Sequence, residues 1–167
     1  YTPGYGMQAA AATLCGNALG ARDGKRLRDV ARTSVLLAAG VMAVTGSILF
    51  LFPGFMMSLF TPDEQVIELG QSVLRIVAVS EPIFGASIIL EGVFDGIGDT
   101  RTPLVISIAT MWGVRILATY VCVNWLHLGL TAVWCCMVAD NVARGALLSA
   151  RYVRGRWKQS VGLEEAG

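Results

Sequence analysis

Of 167 residues, 54% are hydrophobic and 15% charged, where a soluble domain carries about a quarter charged residues. A net charge of +1 gives no electrostatic case for a nucleic-acid partner, and the four cysteines lack the spacing of a metal site or a dithiol motif. The composition excludes an ordinary water-soluble enzyme and predicts an all-α, polytopic membrane helix bundle, with Cys15, Cys122, Cys135 and Cys136 as small apolar packers.

Crossing a hydrocarbon core of ~30 Å takes about 20 helical residues. Residues 4–20 are borderline in length and rich in Ala and Gly, without the basic start of a signal peptide. Residues 1–21 therefore read as the end of a truncated transmembrane helix. Arg22, Lys25, Arg26, Arg28 and Arg32 come next and predict a basic loop over 22–32. An uncharged run predicts the first full crossing over 33–60, kinked near Pro53-Gly54. Thr61-Pro62-Asp63-Glu64 is an acidic turn suited to open the next helix, over 66–94. Gly96-Ile97-Gly98-Asp99-Thr100 ends it: two glycines permit the turn, Asp99 or Thr100 caps the next helix, and Pro103 suits a first helical turn. The last two spans are predicted over 102–123 and 128–151, joined by Asn124-Trp125-Leu126-His127. Residues 22–158 thus form a four-helix unit, and 159–167 a tail.

The connections alternate in charge. The basic segment, the Arg101 turn and the Arg151–Lys158 exit fall on one side, with the acidic turn and the His127 turn on the other. The positive-inside tendency puts the basic side and the C-terminus in the cytoplasm, as for a multi-pass inner-membrane protein. Trp125, His127 and Trp157 suit the interfacial belts. His127, the single histidine, lies in an outer turn, so no Ser/His/Asp arrangement forms and no catalysis is expected. The Gly92, Gly96, Gly98 spacing does not fit a nucleotide loop.

Five ionisable residues fall within the predicted spans: Glu81, Glu91, Arg115, Asp140 and Arg144. A lone charge at the bilayer centre costs at least ~2.5 kcal/mol, so each needs a partner, a wet cavity or a proton. Asp140 and Arg144 are four apart, one above the other on a helix face, and predict mutual neutralisation. Arg115, on the antiparallel neighbour at similar depth, extends them into a structural triad. Glu91 and Asp95 share a face near the cytoplasmic end, where like charges repel, which predicts a solvated vestibule. Arg75, nearer the outer end, can snorkel to the interface. Glu81 lies about 22 Å along its helix, near the midplane, with no opposite charge at helical spacing. Pro82 beside it predicts a break in the helix. A desolvated carboxylate favours its neutral form, so Glu81 suits reversible cation binding, as at the coupling-ion sites of secondary transporters. Pairing with Arg115, or a protonated Glu81 bonded to a carbonyl, are its structural alternatives.

Several motifs, in order along nearly the whole chain, resemble the multidrug and toxic compound extrusion (MATE) family. They are Gly16-Asn17-Ala18-Leu19-Gly20-Ala21, Leu59-Phe60-Thr61-Pro62-Asp63, Gly96-Ile97-Gly98-Asp99-Thr100-Arg101-Thr102-Pro103, Val114-Arg115-Ile116, Leu128-Gly129-Leu130 with Val133-Trp134, and the Arg151–Trp157 exit. The resemblance implies part of the C-terminal six-helix lobe of a twelve-helix transporter: the end of the eighth helix and helices nine to twelve. It also implies an antiporter that exports small cationic, amphipathic compounds in exchange for protons or sodium, without a bound cofactor or metal. Its partners would be membrane lipids and the missing N-terminal lobe. Glu81 falls about one turn outward of the acid that some branches carry on the tenth helix, and Asp95 stands where the family usually has Arg. Two other functions compete: a lipid-linked oligosaccharide flippase of related fold, for which Arg75 and Arg115 are the available cations, and a membrane scaffold packed through small residues.

Overall fold

The computed structural model describes residues 2–125, 127 and 129–155. These residues fold as six helices: α1 Thr2–Gly20, α2 Gly24–Leu51, α3 Pro53–Ser58, α4 Glu64–Gly96, α5 Arg101–Asn124 and α6 Leu130–Val153. Among the described residues, α2, α4 and α5 are long and apolar enough to cross a membrane. Helix α6, predicted as a fourth crossing, has 24 residues, which at about 1.5 Å each also suffices in length. It falls outside that set because Asp140, Asn141 and Arg144 interrupt its apolar run. Trp157 and the tail lie outside the described residues.

Local chemistry explains most boundaries. Asp63 accepts from the Gln65 N–H at 2.9 Å and starts α4. The other end closes with the Asp99 N–H on the Phe94 carbonyl (3.0 Å), the Gly98 N–H on the Asp95 carbonyl (3.1 Å), and Gly98 at φ +83°. That double-bonded, left-handed ending is the common glycine terminator of helices. Asp99 then accepts from both the Thr102 N–H (3.2 Å) and its hydroxyl (2.7 Å), and so fixes the first turn of α5.

The structure corrects three expectations. The basic segment is not a loop: Asp23 accepts from the Arg26 N–H at 2.9 Å, and α2 begins at Gly24, so the cations decorate its first turns. The kink at Pro53 is a full break, with Phe52 non-helical and α3 starting at the proline. No break accompanies Pro82: α4 runs unbroken from Glu64 to Gly96 through it.

Helix α4 is the central post. A Cβ on Gly92 would lie 2.6 Å from the Gln8 carbonyl oxygen, and one on Gly96 would collide with the Ala12 carbonyl. Together with Gly4 against Ile88, these contacts give α1 and α4 a constant register in the same direction. Helix α2 runs the opposite way, with Gly46 against Ala78 and Gly85 against Ala38 and Met42. Helix α6 runs parallel to α4, with Gly145 against Ser87 and Leu148 clustered with Leu90 and Phe94. All basic connections therefore sit at one end and the acidic turn at the other. Small residues at these crossings let backbones approach where lipid gives no hydrophobic drive for association. The core (Leu27, Ala31, Ile89, Val93, Phe94, Leu148) surrounds the basic half of α4. Large apolar side chains such as Leu36, Val79, Leu104, Val105 and Trp112 point outward, as a lipid-facing surface requires.

Candidate functional site

Glu81 stands about 26 Å along the ~50 Å length of α4 and is 5% exposed. Its neighbourhood is shaped by Pro82. Proline has no N–H, so the carbonyl of Ala78 loses its helical partner. Gly46 of α2 covers that place: a Cβ there would lie 2.6 Å from the Ala78 oxygen and 3.3 Å from the Glu81 Cβ. The absence of a side chain at Gly46 lets α2 pack directly against the turn that carries this freed carbonyl. Glu81 forms no ion pair with Arg115 or any other arginine among the described residues.

The other acids part company. Glu91 turns inward and its Oε1 accepts from Arg144 Nη1 at 3.2 Å and from the Ser107 hydroxyl at 3.5 Å. Asp95 is exposed and has no ion pair within the described chain. The like-charge pair expected to face one vestibule is thus split, because Glu91 has a cation within reach.

Arg144 is the hub. Its Nη2 reaches Asp140 Oδ2 at 3.4 Å while Nη1 holds Glu91, so one guanidinium serves two carboxylates and links α4 to α6. Asp140 is fully buried; its Oδ1 and the Arg144 Nε have no hydrogen-bond partner among the described residues. A cavity of about 40 Å³ beside the pair is lined by Tyr5, Phe84, Ser87, Ile88, Glu91 and Arg144, with Asn141. The expected triad is corrected in one member: Glu91 occupies the place predicted for Arg115. Arg115 is half-buried and unpaired among the described residues, within a π-helical stretch, Met111–Ile116, that interrupts α5. Such a bulge shifts the helical phase of the residues beyond it, which α-helical spacing cannot anticipate. Arg75 is exposed, in keeping with an interfacial reach.

Two contacts carry no sequence signal. Asp99 lies 3.9 Å from Arg151, tying the α4–α5 turn to the end of α6. The sulfurs of Cys122 and Cys136 are 3.7 Å apart across α5 and α6. Their separation along the chain does not announce the contact, since it is set by the depth at which the antiparallel helices meet.

The family model MatE matches residues 1–121. The chain belongs to the MatE family. It is 28% identical over 159 residues to the probable multidrug resistance protein NorM of Thermotoga maritima, covering 95% of this chain and 34% of that protein. It is 24% identical over 146 residues to the uncharacterized transporter YisQ of Bacillus subtilis, covering 87% of this chain and 32% of that one. The eukaryotic MATE transporter AtDTX14 superposes with a TM-score of 0.86 at 21% identity, over 95% of this chain and 35% of that structure. A MOP-superfamily transporter from Pyrococcus furiosus gives 0.86 at 24% identity, over 98% and 36%. The chain spans about a third of the length of the curated relatives it matches. The fold is that of part of the solved MATE transporters, and the family and the long apolar helices make this a multi-pass membrane protein.

Proposed function

We propose that this chain is most of the C-terminal lobe of a secondary antiporter that exports small cationic amphipaths in exchange for protons or sodium, with Glu81 as a coupling carboxylate. The observation that carries the reading is the burial of Glu81 midway along α4 with no arginine among the described residues to neutralise it. A carboxylate in apolar surroundings without a fixed counter-charge must be protonated or hold a mobile cation. An anionic cargo would be repelled there, which disfavours the flippase reading. By contrast Glu91 and Asp140 already share Arg144, so that cluster serves to hold α4 to α6. The basic end faces the cytoplasm on the positive-inside tendency, and an N-terminal lobe completes the cavity.

The register of α1 on α4 supports a site shared between helices. Gly4 meets α4 at Ile88, so the next turns upstream in a longer protein would stand level with Glu81. The test reconstitutes the full-length protein in liposomes and imposes a proton or a sodium gradient. Gradient-driven movement of an ethidium-like dye is expected. Movement of lipid-linked sugars with no dye transport, or transport indifferent to both gradients, would overturn the reading.

A further inference from the structure

Between the first turns of α2 and the last turns of α6 lies a groove of about 680 Å³ at the basic end of the bundle. Lys25, Arg28 and Arg32 line its rim, at spacings that place all three on one face of α2. Asp29 is the single acidic residue in the lining. None of the three cations is paired with a carboxylate among the described residues, where the ion pairs are Arg144 with Glu91 and Asp140, and Arg151 with Asp99; Arg28 stands near the Tyr152 phenol of α6. The floor is apolar, made of Val35, Leu36 and Leu90.

We propose that this groove binds an anionic glycerophospholipid, its phosphate on Arg28 and Arg32 and an acyl chain along Leu90. Charge complementarity selects the headgroup, because guanidinium forks match phosphate oxygens and the rim carries three cations against one carboxylate. Position selects a lipid over a soluble anion or an acidic protein. The uncharged part of α2 begins directly after Arg32, so the rim lies at the membrane boundary and the floor below it. Leu36, on the same face of α2, is exposed just inside that boundary. At Ser149 the groove meets an apolar furrow between α4 and α6, lined by Ile83, Ala86, Val142 and Ala146. From Leu90 to Ile83 that furrow extends about 10 Å toward mid-membrane, room for a chain to lie along it. The site rests on membrane embedding alone and is independent of the coupling ion.

The experiment is native mass spectrometry of the full-length protein in detergent, titrated with phosphatidylglycerol and with phosphatidylcholine of identical acyl chains. Phosphatidylglycerol is expected to be retained preferentially. Removing one rim cation should weaken its retention about fivefold, and the double variant Arg28→Gln/Arg32→Gln about 25-fold, with phosphatidylcholine unchanged. The single variants keep the test decisive if the double variant does not fold. Arg22→Gln, outside the groove, should leave retention as it was. Equal retention of both lipids, or a phosphatidylglycerol signal indifferent to Arg28 and Arg32, would overturn the proposal. So would displacement of the lipid by inorganic phosphate, or a dimer whose interface excludes it.

Discussion

Removing the guanidinium of Arg144 alone should destabilise the bundle more than removing it together with the Asp140 carboxylate. Asp140 is fully buried, and Arg144 at 3.4 Å is its one ion-pair partner among the described residues. In Arg144→Met the carboxylate stays where it is with nothing to neutralise it, a change that costs ~3–5 kcal/mol for a buried pair. The side chain of Arg144 is 21% exposed and both contacts exceed 3 Å, so the lower end, about 3 kcal/mol, is expected. The double variant Arg144→Met/Asp140→Leu removes the orphaned charge as well and should recover about 2 kcal/mol of that loss, since apolar replacement of a buried pair is often near neutral. Glu91 is 19% exposed beside a cavity and can be solvated in both variants. The assay is the apparent melting temperature of full-length variants in detergent, read as loss of monodisperse protein. The expected order is wild type, then the double variant, then Arg144→Met lowest. A single variant as stable as the double would refute the idea that Arg144 is present to neutralise Asp140.

The packing sets three further outcomes. Gly96→Ala would press a methyl group into the Ala12 carbonyl and cost ~1–3 kcal/mol, whereas Gly6→Ala, with open space around it, should stay within about 0.5 kcal/mol in the same melting assay. Asp99→Ala should cost about 1 kcal/mol by freeing the first turn of α5, and Asp99→Asn, which keeps an acceptor for Thr102, should lose less. Mild oxidation should join Cys122 to Cys136, whose sulfurs are 3.7 Å apart, and leave Cys15 unmodified because it is fully buried; peptide mapping reads both.

Turns are more legible in the sequence than pairings. Asp63, Gly98, Asp99 and Pro103 act on their own neighbours within a few residues, so their chemistry can be read directly from sequence. The basic stretch before residue 33 misleads because charge density resembles a loop, yet a single Asp23 cap suffices to start the helix under it. Pro82 misleads because α4 stays continuous through it, packed there against Gly46, which lies far away in sequence on another helix. Asp140 and Arg144 pair as expected because helical spacing sets their distance. The choice of Glu91 over Arg115 as their third member is not readable in the same way. It depends on how α4, α5 and α6 are rotated about their axes, and a π-helical stretch changes that rotation for Arg115 itself.

Whether Glu81 couples ions to export is tested most directly by comparing two kinds of transport in liposomes containing full-length Glu81→Gln. Glutamine keeps the size of the side chain but has no proton to exchange and no negative charge to balance a cation. Exchange of dye for dye across the membrane should persist, while dye movement driven by a proton or sodium gradient should fall to background. Gradient-driven movement at the wild-type rate would contradict the account and leave Glu81 as a packing residue behind Gly46.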